Sequence, residues 1–142
     1  MKKTKLFVEH QYDFELLGLV SPVKDYKMAW VINHSLGLRL VRTDDFEPEF
    51  INQSQLKISQ YMEQKEHGYI QLLQNRSFKE NTQTRYLIPE LRVVDYFLLL
   101  QDLTFQLDLN MYIERLSEVR YIQNIVKLDV SKLKSKENLL TY

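Results

Sequence analysis

The densest set of groups that could do chemistry lies in Ile88-Pro-Glu-Leu-Arg-Val-Val-Asp-Tyr96. Glu90 and Asp95 could serve as a general acid and base if a bend brought their carboxyl groups together, with Tyr96 as a neighbouring hydroxyl. Pro89 supplies the bend, because the residue before a proline is pushed out of helical angles, so Ile88 must be extended. Asp95 interrupts Val93 to Leu100, a run apolar on both alternating sides that reads as a central strand. An unpaired carboxylate buried there would cost several kcal/mol. Two readings follow. Asp95 is a structural carboxylate held by Arg39, Arg42 or Arg92, by tyrosine hydroxyls or by backbone amides; or it is a pocket carboxylate beside Glu90 and Tyr96, walled by Tyr26 and Trp30. Glu90, Asp95, Tyr96, Tyr26 and Trp30 are therefore the candidate binding residues, and no residue is assigned as catalytic.

Other chemistries lack their parts. The three histidines, His10, His34 and His67, are dispersed and form no metal-binding spacing, and there is no cysteine to act as thiolate, disulfide or zinc ligand. Asp44-Asp-Phe-Glu-Pro-Glu49 has neither the glycine nor the ligand spacing of a calcium loop. Ser21-Pro-Val-Lys24 and Ser131-Lys-Leu-Lys134 match S-x-x-K without the companion motifs of that chemistry. Three glycines, at 18, 37 and 68, cannot build a dinucleotide or phosphate loop. No metal and no cofactor is expected. With 19 Lys+Arg against 19 Asp+Glu, the chain has no basic excess for a generic polyanion, and DNA binding is not expected.

The elements that must position these residues can be read from periodicity and punctuation. Length 142 and 44% hydrophobic residues fit a single globular domain with a short basic C-terminal tail. Tyr12 to Val20 reads as a strand entering the core. Ser21-Pro22 looks like a helix cap followed by proline at the first helical position, and Gly37 like a left-handed stop, which predicts a helix from Pro22 to Leu36. Its inward face is expected to carry Val23, Tyr26, Ala29, Trp30, Ile32, Asn33 and Leu36, with Trp30 in the core. Leu38 to Arg42 alternates as a strand, Thr43 to Glu49 reads as an exposed loop, and Leu56–Met62 with Gly68–Leu73 reads as a hairpin. Asn75 to Thr84 is polar and is expected to be a flexible connection. Asp108 caps a helix through Leu109, Tyr112, Ile113 and Leu116, and Tyr121 to Val130 is a last strand. The sum is an α+β fold, a mostly antiparallel sheet of about six or seven strands with two helices on one face.

The basic start, Met1-Lys-Lys-Thr-Lys5, is followed by too short an apolar run for a signal peptide, and Val93–Leu100 is far too short for a bilayer span. A cytoplasmic, membrane-free setting is expected.

At Ile88, Pro89, Glu90, Val94, Asp95 and Tyr96 the chain resembles the bacterial IPExxxVDY family, named for that signature. Ser21-Pro-Val-Lys-Asp-Tyr-Lys-Met-Ala-Trp30, Leu36-Gly-Leu38 and Lys132-Leu-Lys-Ser-Lys-Glu-Asn-Leu139 are similar to that family as well, so the resemblance spans essentially the whole chain. It implies no assigned reaction and no catalytic residue. Genes of that family often neighbour those for ribonuclease III, a ketoacyl synthase, acyl carrier protein and pyruvate kinase, which suggests RNA or acyl carrier protein as partners by association only.

Three functional readings remain. The leading one is a non-enzymatic protein-interaction or self-associating module, most simply a homodimer, because a sheet with helices on one face leaves Phe97, Leu99, Tyr121, Ile125 and Leu139-Leu140 as apolar surface to cover. The alternatives are a small-molecule binder or enzyme with a pocket around Asp95, and an RNA-associated accessory factor.

Overall fold

The computed structural model describes residues 14–46, 57–77, 86–104 and 106–139. Tyr12, residues 47–49, Leu56, residues 78–84 of the expected connection, Leu140 and the basic start therefore lie outside the described residues. Six strands, β1 (Glu15–Val20), β2 (Val41–Arg42), β3 (Gln60–Lys65), β4 (Gly68–Gln74), β5 (Tyr96–Asp102) and β6 (Asn124–Leu128), form one sheet in the order β2-β3-β4-β5-β1-β6. Every neighbouring pair is antiparallel. Two helices, α1 (Asp25–Leu36) and α2 (Leu109–Ser117), complete the α+β fold. Both β5 and β6 pair with β1, so the β5–α2–β6 connection returns the chain parallel to β5 with one strand between.

The alternation of β5 sorts the core into two layers. Tyr96, Leu98 and Leu100 face the helices together with Leu17, Leu19, Ile70 and Leu72, against Met28, Ala29, Ile32 and Leu36 of α1 and Tyr112 and Leu116 of α2. Phe97 and Leu99 face the other way with Leu16 and Leu73. That second face is closed by the chain itself: Phe46, Ile58, Leu87, Ile88, Val94, Val130 and Leu139 cover it. The sequence-based case for a dimer across this face is thereby corrected. Phe97 and Leu99 are fully buried and Leu139 nearly so, each within the one chain.

Several boundaries also move. The helix starts at Asp25, with Lys24 as its N-cap and no side-chain cap, because Ser21 is drawn to Asp95 and to the Tyr121 carbonyl instead. Its inward stripe is Met28, Ala29, Ile32 and Leu36, which leaves Tyr26 64% and Trp30 54% exposed. Trp30 is not a core residue. The central strand begins at Tyr96, so Val93 is exposed and Asp95 precedes β5. Phe46 sits in the acidic loop yet is buried, bridged to Ile58. As the sequence implies, Asp108 caps α2 by accepting from the Met111 amide at 3.1 Å, and Gly37 ends α1 at φ 67°. Asn33 fixes the turn that follows: its side chain accepts from the Leu40 amide at 2.8 Å and donates to the Leu40 carbonyl at 3.1 Å.

Two positive-φ glycines differ in what a side chain would meet. A Cβ on Gly37 would meet nothing within 4 Å, whereas one on Gly68 would collide with the Gln101 carbonyl across the β4–β5 pair. Gly37→Ala should therefore cost about 1 kcal/mol, the left-handed penalty alone. Gly68→Ala should cost about 3 kcal/mol, because rigid strand backbone must move. Urea unfolding of the two variants checks the ranking, and equal losses would refute it.

Candidate functional site

The residues singled out in the sequence are organised around one that was not. Asn75 follows β4, is fully buried, and uses every polar group it has. Its amide donates to the Asp95 carbonyl at 2.9 Å and its carbonyl accepts from the Leu87 amide. Its side-chain oxygen accepts from the Ile88 amide at 2.9 Å, and its side-chain nitrogen donates to the Leu91 and Val94 carbonyls, both at 2.9 Å. The Ile88–Tyr96 segment has few regular hydrogen bonds of its own, since Pro89–Leu91 forms only a short 3-10 turn. Asn75 supplies the missing partners from inside the core. The expectation of a flexible connection at Asn75 is thus reversed.

Asp95 and Tyr96 fasten the chain between β1 and α1. The Ser21 amide donates to Asp95 Oδ2 at 2.8 Å, and the Asp95 amide donates to the Leu19 carbonyl at 2.9 Å. The Tyr96 hydroxyl donates to the Val23 carbonyl at 2.5 Å. Ser21 Oγ in turn donates to the Tyr121 carbonyl at 2.6 Å. So Asp95 is held by a backbone amide, one of the structural possibilities, and not by an arginine: Arg42 pairs with Asp45, Arg92 lies against the Tyr86 ring, and Arg39 makes no ion pair with Asp95. Burial, and then the Asp25 and Asp95 charges, push the Tyr96 hydroxyl far above the ordinary tyrosine range. It remains a neutral donor and is unsuited to exchanging protons near neutrality.

Glu90 points to a different segment. Its carboxylate accepts from the Ser135 amide and the Ser135 hydroxyl, each at 2.8 Å, while the Asn138 side chain donates to the Leu87 carbonyl at 2.8 Å. Burial pushes Glu90 upward, but the Ser135 bonds together with the backbone amides at Glu90 and Lys134 outweigh it and hold the carboxyl below its ordinary value. Glu90 and Asp95 are thus claimed by separate partners, Ser135 and Ser21.

Tyr26 and Trp30 do not wall a space beside Asp95 but stand on the outer face of α1, one turn apart. His34, another turn on, stacks on Trp30 with ring centroids 3.8 Å apart. Lys27 Nζ lies 5.8 Å from the Trp30 ring and 4.7 Å from the Tyr121 ring, and the Arg120 guanidinium lies 5.5 Å from the Tyr121 ring. Tyr121, expected as the start of the last strand and as dimer cover, precedes β6 and is 37% exposed, its ring sharing Lys27 with Trp30. The result is an aromatic surface interleaved with cations. The Tyr26, Trp30, His34 spacing of four residues was the available signal for it.

A cavity of about 460 Å³ opens beside the β3–β4 turn, floored by Ile70, Leu100 and Met111 and rimmed by Lys65 and Asp102. It includes none of the residues above. Asp102 already accepts from Thr104 and Gln106, and Lys65 is paired with Glu63. Among the described residues no group of three His, Asp or Glu side chains is placed to hold a metal ion, and no helix is long and apolar enough to cross a membrane. Comparison with protein-family models, curated proteins and solved structures finds no match to this chain.

Asn75→Ala strands the Ile88 amide and two carbonyls and should cost about 3 kcal/mol or more in chemical unfolding. Asp95→Asn keeps an acceptor for the Ser21 amide and should cost about 1 kcal/mol; a larger loss than Asn75→Ala would displace Asn75 as the centre. Glu90 gives a pH signature. Because its folded value is depressed, the latch to Ser135 is at full strength above the unfolded glutamate value and is lost as pH falls through the lower folded one. Hydrogen exchange at the Ser135 amide should accelerate in that acidic window in the wild type, beyond the intrinsic pH trend, and should show no such step in Glu90→Gln.

Proposed function

We propose that this protein is a non-enzymatic binding module that docks another protein on the outer face of α1 and Tyr121. The observation that carries the reading is the exposure of Tyr26 and Trp30, at 64% and 54%, on one helical face. Exposed tryptophan and tyrosine flanked by Lys or Arg are the residue types that dominate binding energy at protein interfaces, and side by side they form a patch rather than scattered surface residues. We place the protein in the cytoplasm, which its cysteine-free composition suits, and we carry forward the IPExxxVDY resemblance as a proposal. In this chain Glu90, Asp95 and Tyr96 serve folding, so the signature would mark a structural clamp.

The other readings have less support. A pocket chemistry needs polar groups free to meet a ligand, and Glu90, Asp95 and Tyr96 are each committed to Ser135, Ser21 or Val23. Single-stranded RNA needs open ring faces for base stacking, whereas one face of Trp30 carries His34 and Tyr121 carries Lys27 and Arg120. A second copy laid on the same face would bring Lys27 and Arg120 toward their own counterparts, which opposes a symmetric dimer there.

Replacing Tyr26 with benzoylphenylalanine and irradiating the native host's cells should yield a discrete protein adduct. Trp30→Ala in the same background should reduce it at least 10-fold, as expected for an interface anchor worth about 2 kcal/mol, while shifting stability by no more than about 0.5 kcal/mol. An adduct that is RNA alone, or one indifferent to Trp30, would overturn the proposal.

A further inference from the structure

The aromatic surface of α1 and Tyr121 holds two cations, Lys27 and Arg120, that make no ion pair among the described residues. Lys27 Nζ is placed between the Trp30 and Tyr121 rings, and Arg120 lies over the same Tyr121 ring. Lysines and arginines elsewhere are paired, Arg42 with Asp45, Lys65 with Glu63 and Lys132 with Asp129; among the described residues Lys27 and Arg120 have no such pair. The acidic residue nearest to Lys27 along the helix, Asp25, is already engaged: it accepts from Ser59 Oγ at 2.5 Å and from the Tyr26 amide at 2.9 Å. Two like charges therefore share one aromatic ring, and among the described residues neither lies within ion-pair distance of a carboxylate.

This arrangement differs from an ordinary surface lysine. A free lysine side chain loses rotamer entropy when it forms an ion pair, and water screens the pair once formed, which is why exposed pairs contribute little. Lys27 is only partly exposed and is already held by two rings, so much of that ordering precedes any encounter. A partner covering the exposed surfaces of Trp30 and Tyr121 would also remove water from around the ammonium, and attraction to an opposite charge strengthens as the local dielectric falls. The protein as a whole has no net charge to attract a polyanion over distance. Recognition must then be local, of one or two anionic groups at contact.

We propose that the partner is a protein segment carrying an Asp or Glu next to an apolar side chain, its carboxylate pairing with Lys27 and Arg120 while the apolar group covers Trp30. The inference rests on the docking reading given above and adds the chemistry of what docks. It makes Lys27 and Arg120 the determinants of which partner is accepted and Trp30 the source of most of the affinity, since charge complementarity selects partners and apolar burial at the anchor holds them.

A zero-length coupling reaction tests it. A water-soluble carbodiimide with N-hydroxysuccinimide joins a lysine amine to a carboxylate only at contact, so treating native-host lysate containing the full chain should join Lys27 to an Asp or Glu of a different protein, identified by peptide mass spectrometry. That linkage should fall at least tenfold in Trp30→Ala, which keeps the amine, and should disappear in Lys27→Gln, with thermal unfolding confirming that both variants fold. A Lys27 linkage unaffected by Trp30→Ala overturns the inference as an unspecific collision, and a linkage to a second copy of this chain overturns it in favour of a dimer. If the photo-adduct at position 26 forms and Lys27 is never coupled, the docking face stands and the carboxylate inference falls. If neither forms, both fall.

Discussion

The structure turns on Asn75. A sheet strand can be followed by irregular chain only if that chain's amides and carbonyls find partners, and inside a core they must find them in protein. One asparagine side chain resembles a peptide group, with one acceptor and one doubly donating nitrogen. Placed at the end of β4, it does for the Ile88, Leu91 and Val94 backbone what a neighbouring strand would have done. Asn33 plays a smaller version of the same part, bonding both backbone groups of Leu40 after α1. The fold thus uses amide side chains as pieces of detached backbone at two places where the chain must turn without regular structure.

What depends on Asn75 is the closure of the sheet's second face. Leu87, Ile88 and Val94 lie on Leu16, Phe97 and Leu99 because the segment carrying them is pinned at its inner side, and the Glu90–Ser135 and Asn138–Leu87 contacts pin it from outside. An antiparallel sheet with helices on one side ordinarily leaves its other side to solvent or to a partner. Here an irregular layer occupies that position, and the exposed aromatic surface has moved to the back of a helix.

Much of the architecture is legible in the sequence because it is written in local terms. The alternation on both sides of β5, the Asp108 cap, the Gly37 stop and the two helical periods each follow from residues within a few positions of one another. The misreadings share a different origin. Asn75 looks like loop composition, and only the return of residues 87–94, distant along the chain, makes it a core residue. Trp30 reads as inward because it falls on one broad face with Val23, Ala29, Ile32 and Leu36, whereas Met28, Ala29, Ile32 and Leu36 define a stripe rotated away from it. Phe97 and Leu99 read correctly as a second apolar face, but what covers them comes from Phe46, Ile58 and the segment around Val130 and Leu139, none of which announces its destination locally. Of the five candidate site residues, Asp95 and Tyr96 are brought together at the start of α1; Glu90 is drawn to the tail, and Tyr26 and Trp30 to the outside of the helix. Pairing among such distant segments is decided by tertiary competition, which periodicity does not encode.

The C-terminal contribution to the second face also sets an order of events during synthesis. Residues that close over Phe97 and Leu99 include Val130 and Leu139, so a ribosome that has released the chain only through β6 leaves part of that face uncovered. The buried residues of the helical face end at Ile122, with Ile125 packed against them, so that face can consolidate before residues 130–139 emerge. Until the last turns emerge and Ser135 reaches Glu90, the nascent protein displays an apolar strip on its central strands, the kind of surface that chaperones hold and that promotes aggregation when synthesis stalls.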